Sequence, residues 1–281
     1  MAKKNRTKTG VAIAAVCTAI AAFGGYEIYV SNTVLEVEHI TAEVKGLPPE
    51  FAGYKIAHIS DMHGYTFGKN NAKIGEILKK EKPDIIVITG DIIDSTKDFK
   101  MISGTARMFA EIAPTYYVPG NHEYALKIPG EIFKELSDAG VVVLRNKYVS
   151  LKRDGAEVVL LGIDDPGGPK DMISVERAVE LVRERTAAPI IMLYHRNDRA
   201  ERIEKMDVGL VLFGHAHGGL IRLPFTDGLV GSGFVMLPEY TSGKYEIGDL
   251  VLIASRGLGN VGFTFRMFNK PHIPIVELAV K

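Results

Sequence analysis

Five short apolar runs recur along the chain, at 54–60, 85–89, 115–118, 189–194 and 208–213, and each empties into a loop of Gly, Asp, Asn and His. Runs this short, rich in Ile and Val, are predicted to be strands, and those with few polar positions to be buried on both faces. Helical periodicity fills the gaps between them. Residues 70–82 place Ile74, Ile77 and Leu78 on one face with Pro83 beyond the end, and 99–112 carries Ile102, Met108, Phe109 and Ile112. A helix over 129–139 stops at Gly140, and further helices are expected over 174–186 and 197–206. Residues 141–144 read as one more strand, and 148–153 with 157–163 as a hairpin around Asp154-Gly155. After Gly219 the helices cease, and short strands are expected near 220–223, 233–236, 244–247, 250–255 and 273–280. The βα units of the first half favour parallel pairing through crossover helices, whereas the last third can pair antiparallel.

The N-terminus follows a different pattern. Lys3, Lys4, Arg6 and Lys8 precede an apolar stretch that is uncharged over 10–26 and continues through Ile28-Tyr29-Val30, interrupted only by Glu27. Twenty residues from Val11 to Val30 span about 30 Å as a helix, the thickness of a bilayer core. The basic flank predicts a single-pass segment in the cell membrane with a cytoplasmic tail and an extracytoplasmic domain. An uncleaved signal anchor is the leading reading. A signal peptide cleaved near Ala19 or Ala21 and a buried helix of a soluble protein are its rivals. The chain thus divides into a basic tail (1–9), a transmembrane signal anchor (10–30), a linker and lead-in strand (31–53) and one large α/β domain (54–281).

Composition narrows the chemistry. The 281-residue chain is 46% apolar, enough for one large core. It is neutral overall, and its four N-terminal cations leave the rest with four excess negative charges, so no nucleic-acid surface is indicated. Cys17 is the only cysteine and sits in the apolar segment, which excludes an intrachain disulfide or a zinc–thiolate site. Nothing in the sequence sets an oligomeric state.

Five of the eight histidines, His63, His122, His195, His215 and His217, follow predicted strands at once, joined there by Asp61, Asp91, Asp94 and Asn121. Core packing does not explain that placement. Imidazole nitrogen with carboxylate oxygen suits Mn, Fe, Zn or Ni rather than Ca or Mg. Two such ions about 3.5–4 Å apart can clamp and attack a phosphorus centre. His58, inside a strand, reads as a core histidine, and His39 as a surface one. Asp164-Asp165 before Pro166-Gly167-Gly168 reads as a solvated turn more readily than as a substrate loop.

Taken in order, Asp61-Met62-His63, Gly90-Asp91-Ile92-Ile93-Asp94, Gly120-Asn121-His122-Glu123, His195 and Gly214-His215-Ala216-His217 resemble the motifs of the calcineurin-like metallophosphoesterases over residues 54–281. Within that family the chain is similar to a bacterial membrane-associated phosphodiesterase group of the UDP-2,3-diacylglucosamine hydrolase type. The likeness lies in Leu47-Pro48-Pro49, in Gly218-Gly219-Leu220-Ile221-Arg222-Leu223-Pro224 and in Ser255-Arg256-Gly257-Leu258-Gly259. Arg196 stands where the family more often has Pro, and His272 where it often has Glu.

The resemblance implies an α/β fold, a four-layer α/β/β/α sandwich of the metallo-dependent phosphatase type, here with an N-terminal transmembrane helix. It implies two divalent ions, manganese foremost for activity. One would take Asp61, His63, Asp91 and His217, and the other Asp91, Asn121, His195 and His215. Asp91 would bridge them by offering two oxygens, and a hydroxide between the ions would attack phosphorus. His122 would act as general acid, oriented by Asp94. The implied reaction is hydrolysis of a phosphodiester, phosphomonoester or pyrophosphate, with a lipid head group or nucleotide-sugar lipid as candidate substrate. A broad-specificity cell-envelope phosphatase and a catalytically silent binding protein of the same fold are the alternatives.

Overall fold

In a computed structural model, described over residues 2–169, 172–223, 227–231, 235–261 and 264–281, the polypeptide forms a long N-terminal helix and a two-sheet sandwich. The first sheet has the order β1 (Glu36–Val44), β14 (His272–Val280), β2 (Lys55–Ile59), β3 (Ile85–Thr89), β4 (Thr115–Val118), β5 (Val142–Val143). The second runs β12 (Gly243–Ile247), β13 (Leu250–Ala254), β9 (Leu210–Phe213), β8 (Ile190–Leu193), β7 (Ala156–Gly162), β6 (Lys147–Arg153). Helices α2 (Ala72–Glu81), α3 (Phe99–Ile112) and α5 (Pro129–Asp138) cover the outer face of the first sheet. Helices α6 (Val175–Arg183) and α7 (Ala200–Ile203) cover the second. This is the α/β/β/α order expected.

The uninterrupted apolar strands follow from this layering, because successive side chains point to opposite faces. In β3, Ile85 and Val87 enter the core between the sheets, while Ile86 and Ile88 meet the helices. In β9, Leu210 and Leu212 face the other sheet, and Val211 and Phe213 face the helices. Neither face meets water, so neither is polar. Strands β2, β3 and β4 run parallel in one sheet, and β7, β8, β9 and β13 in the other. Their C-terminal ends meet along one edge of the sandwich: the His195 Nδ1 beyond β8 lies 2.7 Å from the Thr89 carbonyl of β3.

Several elements depart from expectation. The helix expected over 197–206 is the single turn α7. Asn121–Ala125 forms a short helix, α4, where only a loop was expected. A two-stranded ribbon joins β10 (Ile221–Arg222) to β11 (Gly228–Val230). The strand expected near 233–236 lies partly outside the described residues, and Met236 bridges to Val230. The segment 31–53 supplies β1, which pairs in parallel with β14 over nine residues and forms the sheet edge.

Helix α1 (Ala2–Thr33) continues past the expected end and projects from the sandwich. Its apolar span Thr9–Thr33 is long enough to cross a membrane. The buried-helix alternative fails: Val11, Ile13, Val16, Ile20, Phe23, Tyr26 and Tyr29 are all more than half exposed. A helix apolar on every side has no amphipathic face to present to a soluble core. Its last turn is embedded through Ser31, and one ring higher up, Phe23, packs beside Phe268 with centroids 6.2 Å apart.

Candidate metal centre

The seven candidate ligands, with His122 and Asp94, converge on the edge where the strands end. The loops that carry them extend the β2–β3 ladder beyond the strands, with Asp61 N–H donating to Gly90 O (3.1 Å) and His63 N–H to Asp91 O (3.0 Å). To turn side chains back into one pocket, Asp61, His63, Asp91, His215 and His217 adopt left-handed backbone, φ between 47° and 66°. That conformation costs L-residues on the order of 1–2 kcal/mol, least for Asp, Asn and His. Gly90 and Gly120 make the close approach possible. A Cβ on Gly90 would stand 2.4 Å from Gly120 N, and one on Gly120 would stand 2.2 Å from Asp91 Oδ1.

The donors fall into two groups around Asp91 Oδ2. In the first, His63 Nε2 and His217 Nε2 are 3.1 Å apart; His217 Nε2 is 3.4 Å and His63 Nε2 3.9 Å from Asp61 Oδ1. Asp91 Oδ2 lies 3.8 Å from His63 Nε2. In the second, Asp91 Oδ2 lies 3.2 Å from His195 Nε2, which is 3.2 Å from His215 Nδ1. Asn121 Oδ1 is buried without a hydrogen-bond partner among the described residues. Asp91 Oδ1 accepts from His122 N–H at 2.8 Å. Asp91 Oδ2 therefore faces both groups, while Oδ1 is held by the His122 backbone.

The electrostatics fit cations. Burial pushes the Asp61 carboxyl up, opposed by His195 and reinforced by Asp91. Burial also opposes charge on Asp91, but the His195 imidazole outweighs it and holds that carboxyl far below its ordinary range. His195 is pushed up to about 10, with the Asp91 charge overriding burial. His215 falls to about 3 and His217 well below its ordinary value. Burial dominates for both, followed by repulsion from His195 and His63 respectively. The neutral imidazoles of His215 and His217, the buried carboxylates of Asp61 and Asp91 and the orphan amide oxygen of Asn121 are donors matched to divalent ions of borderline softness, and His195 would release its proton when an ion binds.

Asp94 joins two rings through one oxygen, at 2.6 Å from His63 Nδ1 and 2.8 Å from His122 Nδ1. Burial raises its pKa, but the two histidine hydrogen bonds outweigh this and hold it at about 2. His122 titrates above its ordinary value: burial works against the charge, and the bond to Asp94 with the Asp91 charge prevails.

Several supporting residues were not read from the sequence. Glu123 accepts from Gly120 N–H (2.7 Å), Asp91 N–H (3.0 Å) and Ile92 N–H (2.8 Å), clasping two motif loops. The capping spacing from Gly120 to Glu123 was its available signal. A buried relay runs from His58 through Thr89 and Ser60 to Asp61 Oδ2. Asp164 and Asp165 are not a solvated turn. Both are buried, Asp164 accepting from Arg145 (2.9 Å) and Asp165 from Arg196 (2.7 and 3.2 Å). His272 is buried 2.9 Å from Glu38, and His39 pairs with Glu81 at the surface.

A cleft of about 690 Å³ opens beside His215, lined by Asn197, Arg199, Arg202, Leu237 and Tyr240. Of the second donor group, His215 lines this cleft.

Residues 54–219 match the family described as calcineurin-like phosphoesterase. The chain is 29% identical over 263 residues to the metallophosphoesterase YkuE of Bacillus subtilis (strain 168), covering 90% of this chain and 89% of that protein. It is 27% identical over 237 residues to the phosphodiesterase YaeI of Escherichia coli (strain K12), covering 81% and 83%. Among solved structures, TT1561 of Thermus thermophilus shares the fold, with a TM-score of 0.51 at 15% identity over 73% of this chain and 90% of that one. Motifs, layering and family match agree: the chain belongs to the calcineurin-like phosphoesterase family and is a phosphoester hydrolase whose family implies divalent metal ions.

Proposed function

We propose that the protein is a membrane-anchored, two-metal phosphoesterase that hydrolyses a phosphodiester, phosphomonoester or pyrophosphate, with a diester favoured. The single observation that carries this reading is Asp91 Oδ2, which lies 3.8 Å from a nitrogen of one donor group and 3.2 Å from a nitrogen of the other. Asp61, His63, Asp91 and His217 would hold one ion, and Asp91, Asn121, His195 and His215 the other. When bound, such ions supply Lewis acidity toward phosphoryl oxygens and lower the pKa of water to about 7.

The chain's own residues arrange the rest. Asp61 and Asp91 set the charge of the pocket, while neutral Asn121 limits it so that an anionic phosphoester can enter. His122 keeps Nδ1 on Asp94 and turns Nε2 toward the pocket, 4.0 Å from Asp91 Oδ2. A proton on Nε2 is then placed for the leaving oxygen, the role of a general acid.

The exposed apolar helix favours a membrane anchor with the catalytic domain outside the cytoplasm, as the basic flank suggests. That placement favours lipid-linked phosphoesters over soluble ones, and manganese is the metal we expect to support activity best. The name of the Escherichia coli relative supports a diester substrate.

The test is hydrolysis of bis-p-nitrophenyl phosphate by the full-length protein in detergent with Mn(II), beside Asp91→Asn and His122→Ala. Activity in the parent and its loss in Asp91→Asn are expected. Equal rates in all three proteins, or no hydrolysis with any divalent metal, would sink the proposal. A panel of glycerophosphodiesters, lipid pyrophosphates and nucleotide sugars then ranks the substrate classes.

A further inference from the structure

We infer that Asn32, in the last turn of α1, positions His217 through Arg266, so that the apolar helix is a working part of the metal centre and not a detachable tether. The inference rests on the reading of His217 as a metal ligand.

Asn32 binds the backbone of Arg266 in both directions. Its Oδ1 accepts from Arg266 N–H at 3.1 Å, and its Nδ2 donates to Arg266 O at 3.0 Å. The same Oδ1 accepts from Asn260 Nδ2 at 2.7 Å. Asn260 Oδ1 in turn accepts from Arg266 Nε at 2.8 Å, so backbone and side chain of Arg266 are both gripped from α1. Arg266 is fully buried, and among the described residues no carboxylate accepts a hydrogen bond from it. Its Nη2 donates to Gly259 O at 2.6 Å and lies 3.3 Å from His217 Nδ1, against the edge of the ring opposite Nε2. A buried guanidinium is expensive to desolvate unless it is well bonded. Its placement behind His217 therefore points to a positioning task.

A second connection runs in parallel. Ser31 Oγ accepts from Asn269 N–H at 3.3 Å, and Asn269 Nδ2 donates to His217 O at 2.7 Å. The last turn of α1 thus reaches both the ring and the carbonyl of His217. Tilting or withdrawing the helix would release both holds, while the second donor group keeps its own supports, such as His195 on Thr89 O. The geometry accordingly makes one of the two ions, the one on His217, depend on the helix.

The test uses the metal-free full-length protein in detergent micelles, titrated calorimetrically with Mn(II). The wild type is expected to bind two ions. Asn32→Ala is expected to weaken one of them by roughly 10- to 100-fold, the usual effect of losing a partner that orients a ligand, and to leave the other unchanged. Asn32→Asp keeps both acceptor contacts of Oδ1 but sets a carboxylate oxygen against the Arg266 carbonyl in place of the Nδ2 donor, so it is expected to recover only part of the affinity. Thr33→Ala, in the same turn, is expected to bind as wild type. Two ions bound by Asn32→Ala with wild-type constants, or both weakened equally, would overturn the inference. Should Asn32→Ala fail to fold, Ser31→Ala carries the same expectation and the same refutation. His217→Ala separates the two levels: if it too binds both ions normally, the ligand reading falls and takes this inference with it.

Discussion

His122 holds its Nδ1 2.8 Å from Asp94 Oδ1, and that contact favours the protonated ring, the form that carries a proton at Nε2 as well. The value of such a donor depends on the leaving group. With an alkyl leaving oxygen, His122→Ala should lower kcat by about 100- to 10,000-fold. With p-nitrophenolate, which leaves without a proton, the loss should be far smaller. The raised His122 pKa keeps the acid protonated above its ordinary range, and activity is lost as pH rises through it. Asp94→Asn removes the partner that raises it, so the alkaline limb of the pH–rate profile should move to lower pH. Rate profiles with alkyl and nitrophenyl diesters, recorded for the three proteins, check both statements.

Metal removal should cost stability as well as activity. Without cations, Asp61 and Asp91 are buried like charges, and five residues lining the pocket hold left-handed backbone. An ion present at 100 times its Kd contributes about 2.7 kcal/mol to the folded state. Chelation should therefore lower Tm, and Mn(II) should restore it. In Asp91→Asn, which weakens the one carboxylate facing both groups, most of that Mn(II)-dependent rise should vanish. Thermal denaturation with and without chelator decides this.

The strand-end positions of the site were legible because strands buried on both faces write themselves as apolar runs, and Asp91 or His215 after such a run stands out. The pocket's shape was not legible. Nothing local announces that Asp61, His63 and His217 bend left-handed, since the cause is convergence on residues far along the chain. Asp164 and Asp165 looked solvated because their partners, Arg145 and Arg196, lie 19 and 31 positions away. The pairing of β1 with β14 joins Glu36 to His272 and has no local signal either. Glu123 is the exception: its spacing from Gly120 was visible, but its clasp on the Asp91 loop was not.

Gly120 offers a test of that close approach. A methyl group there would meet Asp91 Oδ1 at 2.2 Å and displace the carboxylate that both donor groups share. Gly120→Ala should cost about 1–3 kcal/mol by overpacking and abolish tight Mn(II) binding. Gly130→Ala, in helix α5 with nothing within 4 Å of the new methyl, should instead stabilise by roughly 0.5–1 kcal/mol. Tm and calorimetric metal titration of the two variants give the comparison.

His58 links the core to the acid limb of stability. It is fully buried, bonded through Nε2 to Thr89 Oγ1 at 2.8 Å, and burial first, with His272 nearby, lowers its pKa from 6.5 to about 3. In the unfolded chain it binds a proton near pH 6.5, and in the folded chain only near pH 3. Between those values the unfolded state holds more protons, so stability is full above about pH 6.5 and falls as pH drops through the window. One such group contributes a slope of about 1.4 kcal/mol per pH unit. His58→Asn removes this titration but keeps a donor toward Thr89. The metal-free variant should lose less Tm than wild type between about pH 6.5 and about pH 4, even where it begins less stable. Parallel acid slopes in the two proteins would show that His58 is not a buried neutral group.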